Sequence, residues 1–312
     1  MKHQNRRTFL RNSLLTGGAF TINNPVNLFS LDSTQQLKKI RIKKVDSNFE
    51  REPLVRPFGF KGGYMSEIWQ TISYLESYSG QHQIGLCTQN VLWSDANVFS
   101  SNSEAAGNAL MYAVTEFAQQ IIKGQTFSSP VNLLDEILPK VYSYAKKVTS
   151  NPNLRKTFAL NALVGIDNAL WLMYAQENGF RTFDDMIPEM YKPCLSYQHK
   201  KAAAIPLMAY NIPINEISKA VDEGYFFMKI KIGQPGSQEE MLEKDKTRLS
   251  AIHSAIGNVR TKYSKDGKLP YYFDANGRYE KKEILMRLLD HAWKIGAFDQ
   301  ISVIEEPFSE AL

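Results

Sequence analysis

Cysteine is scarce: only Cys87 and Cys194 occur in a chain of 312 residues. That excludes the disulfide framework of a small stapled domain. Both thiols are expected to sit as small buried hydrophobes. No stretch approaches the roughly 20 consecutive apolar residues that a bilayer-crossing helix needs, so no stable membrane span is expected. No glycine-rich phosphate loop follows any strand candidate, which argues against a doubly wound nucleotide-binding fold. The formal charge is +5, but Lys2, Arg6, Arg7 and Arg11 lie in a first segment of 31 residues that has no acid, which leaves the remainder near +1. That removes the composition argument for nucleic-acid binding, which would need a basic patch on the folded part itself. The pairs Lys38-Lys39 and Lys200-Lys201 read as solvated faces. What is present is ordinary for a globular protein, with 43% hydrophobic and 22% charged residues and length for two domains of about 150 residues each.

The first 31 residues read as an address rather than as structure. Arg6-Arg7-Thr8-Phe9-Leu10-Arg11 resembles the twin-arginine export pattern, and a modest apolar stretch from Leu14 to Phe20 follows it. Such segments are read by a receptor and are not anchors. The resemblance implies the twin-arginine (Tat) export machinery as a partner and a periplasmic or exported location, a route suited to a prefolded, metal-loaded enzyme.

From Leu37 to about residue 200 the pattern is a short sheet followed by helices. Ile40 to Lys43 alternates apolar and basic residues, as a half-buried strand does. The Pro- and Gly-rich stretch Pro53 to Gly63 reads as a loop. Residues 103–123 and 131–148 read as helices. So does Leu154 to Asn178, with Leu160, Leu163, Val164, Leu170, Trp171 and Tyr174 assigned to one buried face. This is an α+β arrangement. From residue 202 short apolar runs alternate with helical segments. The runs are 205–210, 225–232, 270–274 and 301–305, and the helices are 215–223, 239–256 and 281–295. That alternation predicts parallel βα units. Periodicity alone does not choose between half of a (β/α)₈ barrel and part of an open sheet.

Chemistry concentrates at the ends of these runs. In a strand, residues two apart share a face, so Lys229 and Lys231 point the same way and Met228, Ile230 and Ile232 point the other. Parallel strands are normally covered on both faces. Two ammonium groups in such a place need anions or metal-bound groups around them. The third run ends in Phe273-Asp274-Ala275-Asn276-Gly277, and the fourth in Ile304-Glu305-Glu306-Pro307. Taken singly, a terminal Asp reads as a helix cap and Glu-Glu-Pro as a loop start. In order on consecutive strands after paired lysines, they form a pattern, at the strand ends where barrel active sites gather.

Lys-x-Lys, then Asp, then Glu-Glu-Pro on the second, third and fourth barrel strands resemble the enolase superfamily, in its mandelate racemase/muconate lactonizing enzyme branch. Asp167-Asn168-Ala169-Leu170-Trp171 looks like that family's helix leading into the barrel. The resemblance implies a fold of an α+β capping domain (37–200) followed by a partial (β/α)₈ barrel (202–312), about four βα units. It implies Lys231 as the general base and Lys229 beside the substrate carboxylate. Asp274 and Glu305 are implied as Mg²⁺ ligands, with Asn276 near the metal and Glu306 turned away. A proton next to a carboxylate is weakly acidic because its loss adds a second negative charge to one group. A hard cation held by carboxylate oxygens takes up that charge, and a lysine beside another cation is expected to have a depressed pKa. This is the pattern of enolase-type sites.

The implied activity is that of an isomerase or lyase: racemisation, epimerisation or dehydration of a small-molecule carboxylate such as an acid sugar or dipeptide. The resemblance places a third metal ligand and the opposing acid/base groups on later strands, which are not within these 312 residues. The polypeptide alone is therefore expected to be inactive, with open edges on its first and fourth barrel strands. Phe58, Phe60 and Lys61, within 53–63, are candidate lid residues that contact substrate. Trp93, within 88–102, is another. The alternatives are a non-catalytic truncated product and an exported carboxylate-binding protein. A homo-oligomer is expected from the resemblance.

Overall fold

The computed structural model describes residues 37–309 except Ser196 and Gln198. The leader and its Arg6-Arg7 pair lie outside the described residues.

Strands β1 (Ile40–Phe60), β2 (Gly63–Ser77) and β3 (His82–Gln89) form an antiparallel meander. A short β4 (Thr126–Phe127) completes the sheet in the order β3-β2-β1-β4. Ile40 and Ile42 are buried while Arg41 and Lys43 face solvent, as the alternation predicts. The stretch expected as a loop at 53–63 is instead the far end of the β1/β2 hairpin. Within this stretch the ladder breaks between Pro53 and Phe58, then resumes to Phe60 opposite Gly63. The turn is only Lys61 and Gly62, both at positive φ (51° and 76°). That geometry matches the right-handed twist of the strands it joins. Proline and glycine mark an irregularity here, not the end of pairing.

Helices α1 (Glu104–Ile122), α2 (Pro130–Val148) and α3 (Lys156–Asn178) cover this sheet. Ser103 and Ser129 cap the first two, and Pro130 begins α2, where a missing N–H costs nothing. Gly179 ends α3 in the left-handed region at φ 73°. α3 is long and apolar enough by composition to cross a membrane, but 61% of its most apolar stretch is buried inside the protein. Its expected buried face needs correcting. Leu163, Leu170 and Tyr174 are buried, whereas Leu160 and Val164 are exposed. The packed face carries Leu163, Leu170 and Tyr174 together with Phe158, Ala159, Ala162, Ile166 and Ala169, and Trp171 is partly buried against it.

Small residues let α3 lie directly on β3. A Cβ at Gly85 would come to 2.5 Å from the Ala169 backbone nitrogen and closer still to the Gly165 carbonyl oxygen. Both obstacles are backbone, so the helix as a whole would have to move. Gly85→Ala is expected to lower stability by about 1–3 kcal/mol or more, read as the urea midpoint. An unchanged midpoint would show that β3 shifts without cost.

The second sheet is parallel, in the order β5-β6-β7-β8. Its strands are β5 (Leu207–Met208), β6 (Met228–Lys231), β7 (Tyr271–Asp274) and β8 (Ile301–Glu305). Helices α4 (Ile214–Asp222), α5 (Gln238–Ile256) and α6 (Lys282–Lys294) connect them. Ser237 and Glu240 form a reciprocal capping box at the start of α5. Met228, Ile230 and Phe273 enter one core with Leu249, Ile252 and Leu288 of the helices. The outward face of the strands is thereby committed, and Lys229, Lys231 and Asp274 are left to the other. Of the two cysteines, Cys87 is buried as expected, but Cys194 is exposed. It stands in a four-residue helix, 192–195, with no buried residue.

Candidate active site

β6, β7 and β8 run in register, with Lys229 opposite Tyr272, Lys231 opposite Asp274, and Asp274 opposite Glu305. Lys229, Lys231, Asp274 and Glu305 thus meet at the carboxyl ends of three adjacent strands. Lys231 is only 5% exposed. Its ammonium donates to Asp274 Oδ2 and to Asn276 Oδ1, each at 2.6 Å. Lys229 lies 2.9 Å from the same Asp274 oxygen and also donates to Glu305 Oε2. One ammonium therefore bridges both carboxylates, which shows that the two acids converge within reach of a single cation.

The pKa shifts follow from this packing. Burial, helped by neighbouring Lys229, pushes the Lys231 ammonium below its ordinary value, although Asp274 pulls the other way. Burial also weighs on Lys229, but its bonds to Glu305 and Asp274 win and hold it well above the usual lysine range. For Asp274, burial alone would raise the carboxyl; the ammonium groups of Lys231 and Lys229 outweigh it and keep it low.

The loops after the strands are fixed by one buried acid. Asp245 of α5 accepts from the Gly233 backbone N–H at 2.7 Å and from the Tyr279 hydroxyl at 2.8 Å, tying the loop after β6 to the loop after β7. Gly233 is at φ 83°, and a Cβ there would meet Arg278 Cβ at 2.6 Å and the Ala275 carbonyl at 2.9 Å. Only glycine allows that approach two residues after Lys231.

The hairpin reaches this site through Phe60, whose ring lies 5.2 Å from the Lys231 ammonium. Phe58 packs on Phe60 with centroids 5.5 Å apart. Tyr210 ties the hairpin down: its N–H donates to the Gly59 carbonyl and its hydroxyl to the Gly233 carbonyl. Lys61 donates to the Trp93 carbonyl at 2.6 Å, and the Trp93 side chain is exposed. Residues 88–102 are mostly ordered as two short helices, Val91–Ser94 and Ala96–Ser101, after the end of β3. Glu306, at φ 44°, faces Arg155 (3.5 Å) and the Asn276 amide (3.4 Å), away from both lysines. Sequence reasoning passed over Tyr272, whose hydroxyl donates to Glu305 Oε2 at 2.7 Å. The signal was available: Tyr272 is two residues before Asp274 and so shares its face.

Hard carboxylate oxygens suit Mg²⁺, which is commonly held by one or two protein carboxylates together with water and substrate oxygens. Asp274 and Glu305 fit that requirement. Among the described residues no group of three His, Cys, Asp or Glu side chains converges, so these two acids are the candidate set.

The sequence matches no protein-family model and no curated protein. Solved structures do match. The dipeptide epimerase of Enterococcus faecalis V583, complexed with Mg and L-Leu-L-Tyr, aligns with TM-score 0.53 at 17% identity, over 86% of this chain and 62% of that one. The L-Ala-D/L-Glu epimerase of Bacillus subtilis aligns with TM-score 0.58 at 14% identity, over 87% and 62%. The L-talarate/galactarate dehydratase of Salmonella typhimurium LT2, liganded with Mg, aligns with TM-score 0.55 at 20% identity, over 93% and 64%. The chain shares the fold of these epimerases and this dehydratase. It spans less than two thirds of the length of these enzymes. Its antiparallel sheet with helices, followed by a four-stranded parallel sheet, is consistent with a cap and a partial barrel.

Proposed function

We propose that this chain carries the metal and base side of a site for removing the proton next to a carboxylate. The observation that carries the reading is the bridge of Lys229 between Asp274 and Glu305, with Lys231 on the same aspartate. Asp274 and Glu305 would hold Mg²⁺, which when bound supplies positive charge to the substrate carboxylate. Lys231 Nζ receives or returns the α-proton. Lys229 holds the carboxylate's negative charge, and Asn276 keeps the Lys231 ammonium aimed by accepting its second bond. Phe60 covers Lys231 and keeps water from it, which strengthens every charge interaction beneath. The substrate class is a carboxylic acid with an exchangeable α-hydrogen, such as a dipeptide or acid sugar. The same reading takes 37–200 as the cap and 202–312 as the barrel part.

Metal binding is the direct test. Mn²⁺ titrated into the chain and followed by electron paramagnetic resonance is expected to saturate at one site. A titration with no saturable component would remove the basis of the reading. Proton NMR in deuterated water, with dipeptides and acid sugars as ligands, separates the finer alternatives. The 312-residue chain by itself is expected to bind carboxylate without exchange, and exchange at the α-carbon would overturn that expectation. Binding without exchange by the protein as its host makes it would favour an exported carboxylate-binding protein.

Export is part of the same proposal and rests on Arg6-Arg7. Replacing both by Lys keeps the charge but not the guanidinium geometry. Arg6→Lys/Arg7→Lys is expected to retain the protein inside the cell, read by fractionation. Unchanged export would remove the twin-arginine assignment.

A further inference from the structure

Tyr272 occupies a position that the chemistry above leaves without a task. It stands on β7 directly opposite Lys229 and two residues before Asp274. Its side chain makes two directed contacts, both with site residues. The Lys229 ammonium lies 4.7 Å from the centre of its ring. Its hydroxyl donates to Glu305 Oε2 at 2.7 Å. Phe227 backs the ring with centroids 6.0 Å apart.

Glu305 needs such a partner. Asp274 is almost wholly buried and held by two lysines and the Asn276 N–H. The Glu305 side chain is 37% exposed at the carboxyl end of β8. A glutamate there has three side-chain torsions and enough room to leave the site. Two hydrogen bonds restrain it, one from Lys229 and one from Tyr272, and both land on Oε2. Among the described residues, Oε1 carries no hydrogen bond. One oxygen is thus anchored and the other left uncommitted, an arrangement that orients a carboxylate for a cation. Lys229 by itself does not supply this restraint, because its ammonium is shared with Asp274 and sits on a flexible stem.

We propose that Tyr272 is a positioning residue for the divalent-cation site: its hydroxyl fixes the Glu305 carboxylate for metal, and its ring places Lys229 between the two acids. The inference rests on the reading that Asp274 and Glu305 hold the cation. Outer-shell hydrogen bonds to ligating carboxylates commonly contribute about 10–100-fold in metal affinity.

Tyr272→Phe keeps the ring under Lys229 and removes only the hydroxyl. Mn²⁺ affinity, read by electron paramagnetic resonance, is expected to fall about 10–100-fold. The melting temperature of the metal-free protein is expected to stay unchanged, whereas a purely structural role would move it. Glu305→Gln supplies the control. If Tyr272 acts through the Glu305 carboxylate, Tyr272→Phe adds no further loss in the Glu305→Gln background, since coupled sites are non-additive. Equal Mn²⁺ affinity in wild type and Tyr272→Phe would overturn the role of Tyr272 and leave the metal site standing. An additive loss in the double variant would also overturn it, because the effect would not pass through Glu305. No saturable Mn²⁺ binding by the wild type would overturn both.

Discussion

Asp274→Ala is expected to be the most damaging single substitution in the site, for stability and metal binding together. The aspartate is 1% exposed and accepts from the ammonium groups of both β6 lysines, Lys229 and Lys231. Lys229 retains Glu305 when Asp274 is removed, but Lys231 is left with the Asn276 amide oxygen as its remaining hydrogen-bond partner. Removing one member of a buried ion pair typically costs about 3–5 kcal/mol, because the survivor stays desolvated without compensation. Chemical denaturation is expected to show a loss of that order at neutral pH. Saturable Mn²⁺ binding is expected to vanish in the same variant. Adding Lys231→Met should return most of the stability, since the unpaired ammonium is gone and Met fills similar volume. It should return none of the metal binding. A double variant as unstable as the single one would mean that Asp274 acts through the Asn276 backbone, to which it is bonded at 3.1 Å, rather than through charge.

The strand ends were legible because alternation is a strict geometric consequence of extended backbone. Lys229 and Lys231 had to share a face, and their order before Asp274 and Glu305 placed all four on neighbouring strands. Tyr272 obeyed the same rule and was overlooked only because a tyrosine two residues before an acid carries no charge to attract notice. The hairpin was misread for a physical reason. Proline and glycine usually punctuate strands, but here the prolines flank a ladder break between Pro53 and Phe58, Gly59 stays paired, Gly62 makes the turn, and β1 runs on to Phe60. That extension is what brings Phe60 over Lys231. On α3, helical spacing of large apolar residues does not by itself mark the buried face. Where Gly165 and Ala169 meet Gly85, close backbone approach buries small residues and leaves Leu160 outside. Contacts between distant segments, such as Arg155 with Glu306 and Asp245 with Tyr279, leave no trace in local periodicity.

These contacts divide labour in the proposed site. Asp245 and Gly233 shape the loop after Lys231, Tyr210 ties the hairpin to that loop, and Phe60 closes over the base. None of these groups need touch substrate. Each limits where the Lys231 Nζ can be, and a base works only when its proton acceptor lies within hydrogen-bond reach of the proton it takes.

Lys231→Met is accordingly expected to separate binding from proton transfer. The variant keeps the strand and its inner-face volume, and Asp274 and Glu305 keep their bridge through Lys229. Mn²⁺ should therefore still bind at a single saturable site. For protein produced in its native host, solvent deuterium exchange at the substrate α-carbon should fall about 10²–10⁴-fold, the usual contribution of a positioned general base. Lys231→Arg makes the stricter comparison. It restores the positive charge beside Asp274, but an arginine stays protonated and does not act as a base. Exchange is expected to remain lost in Lys231→Arg while carboxylate binding holds. Recovery of exchange by the arginine variant would show that Lys231 contributes charge alone, and the base would then have to be sought on another strand.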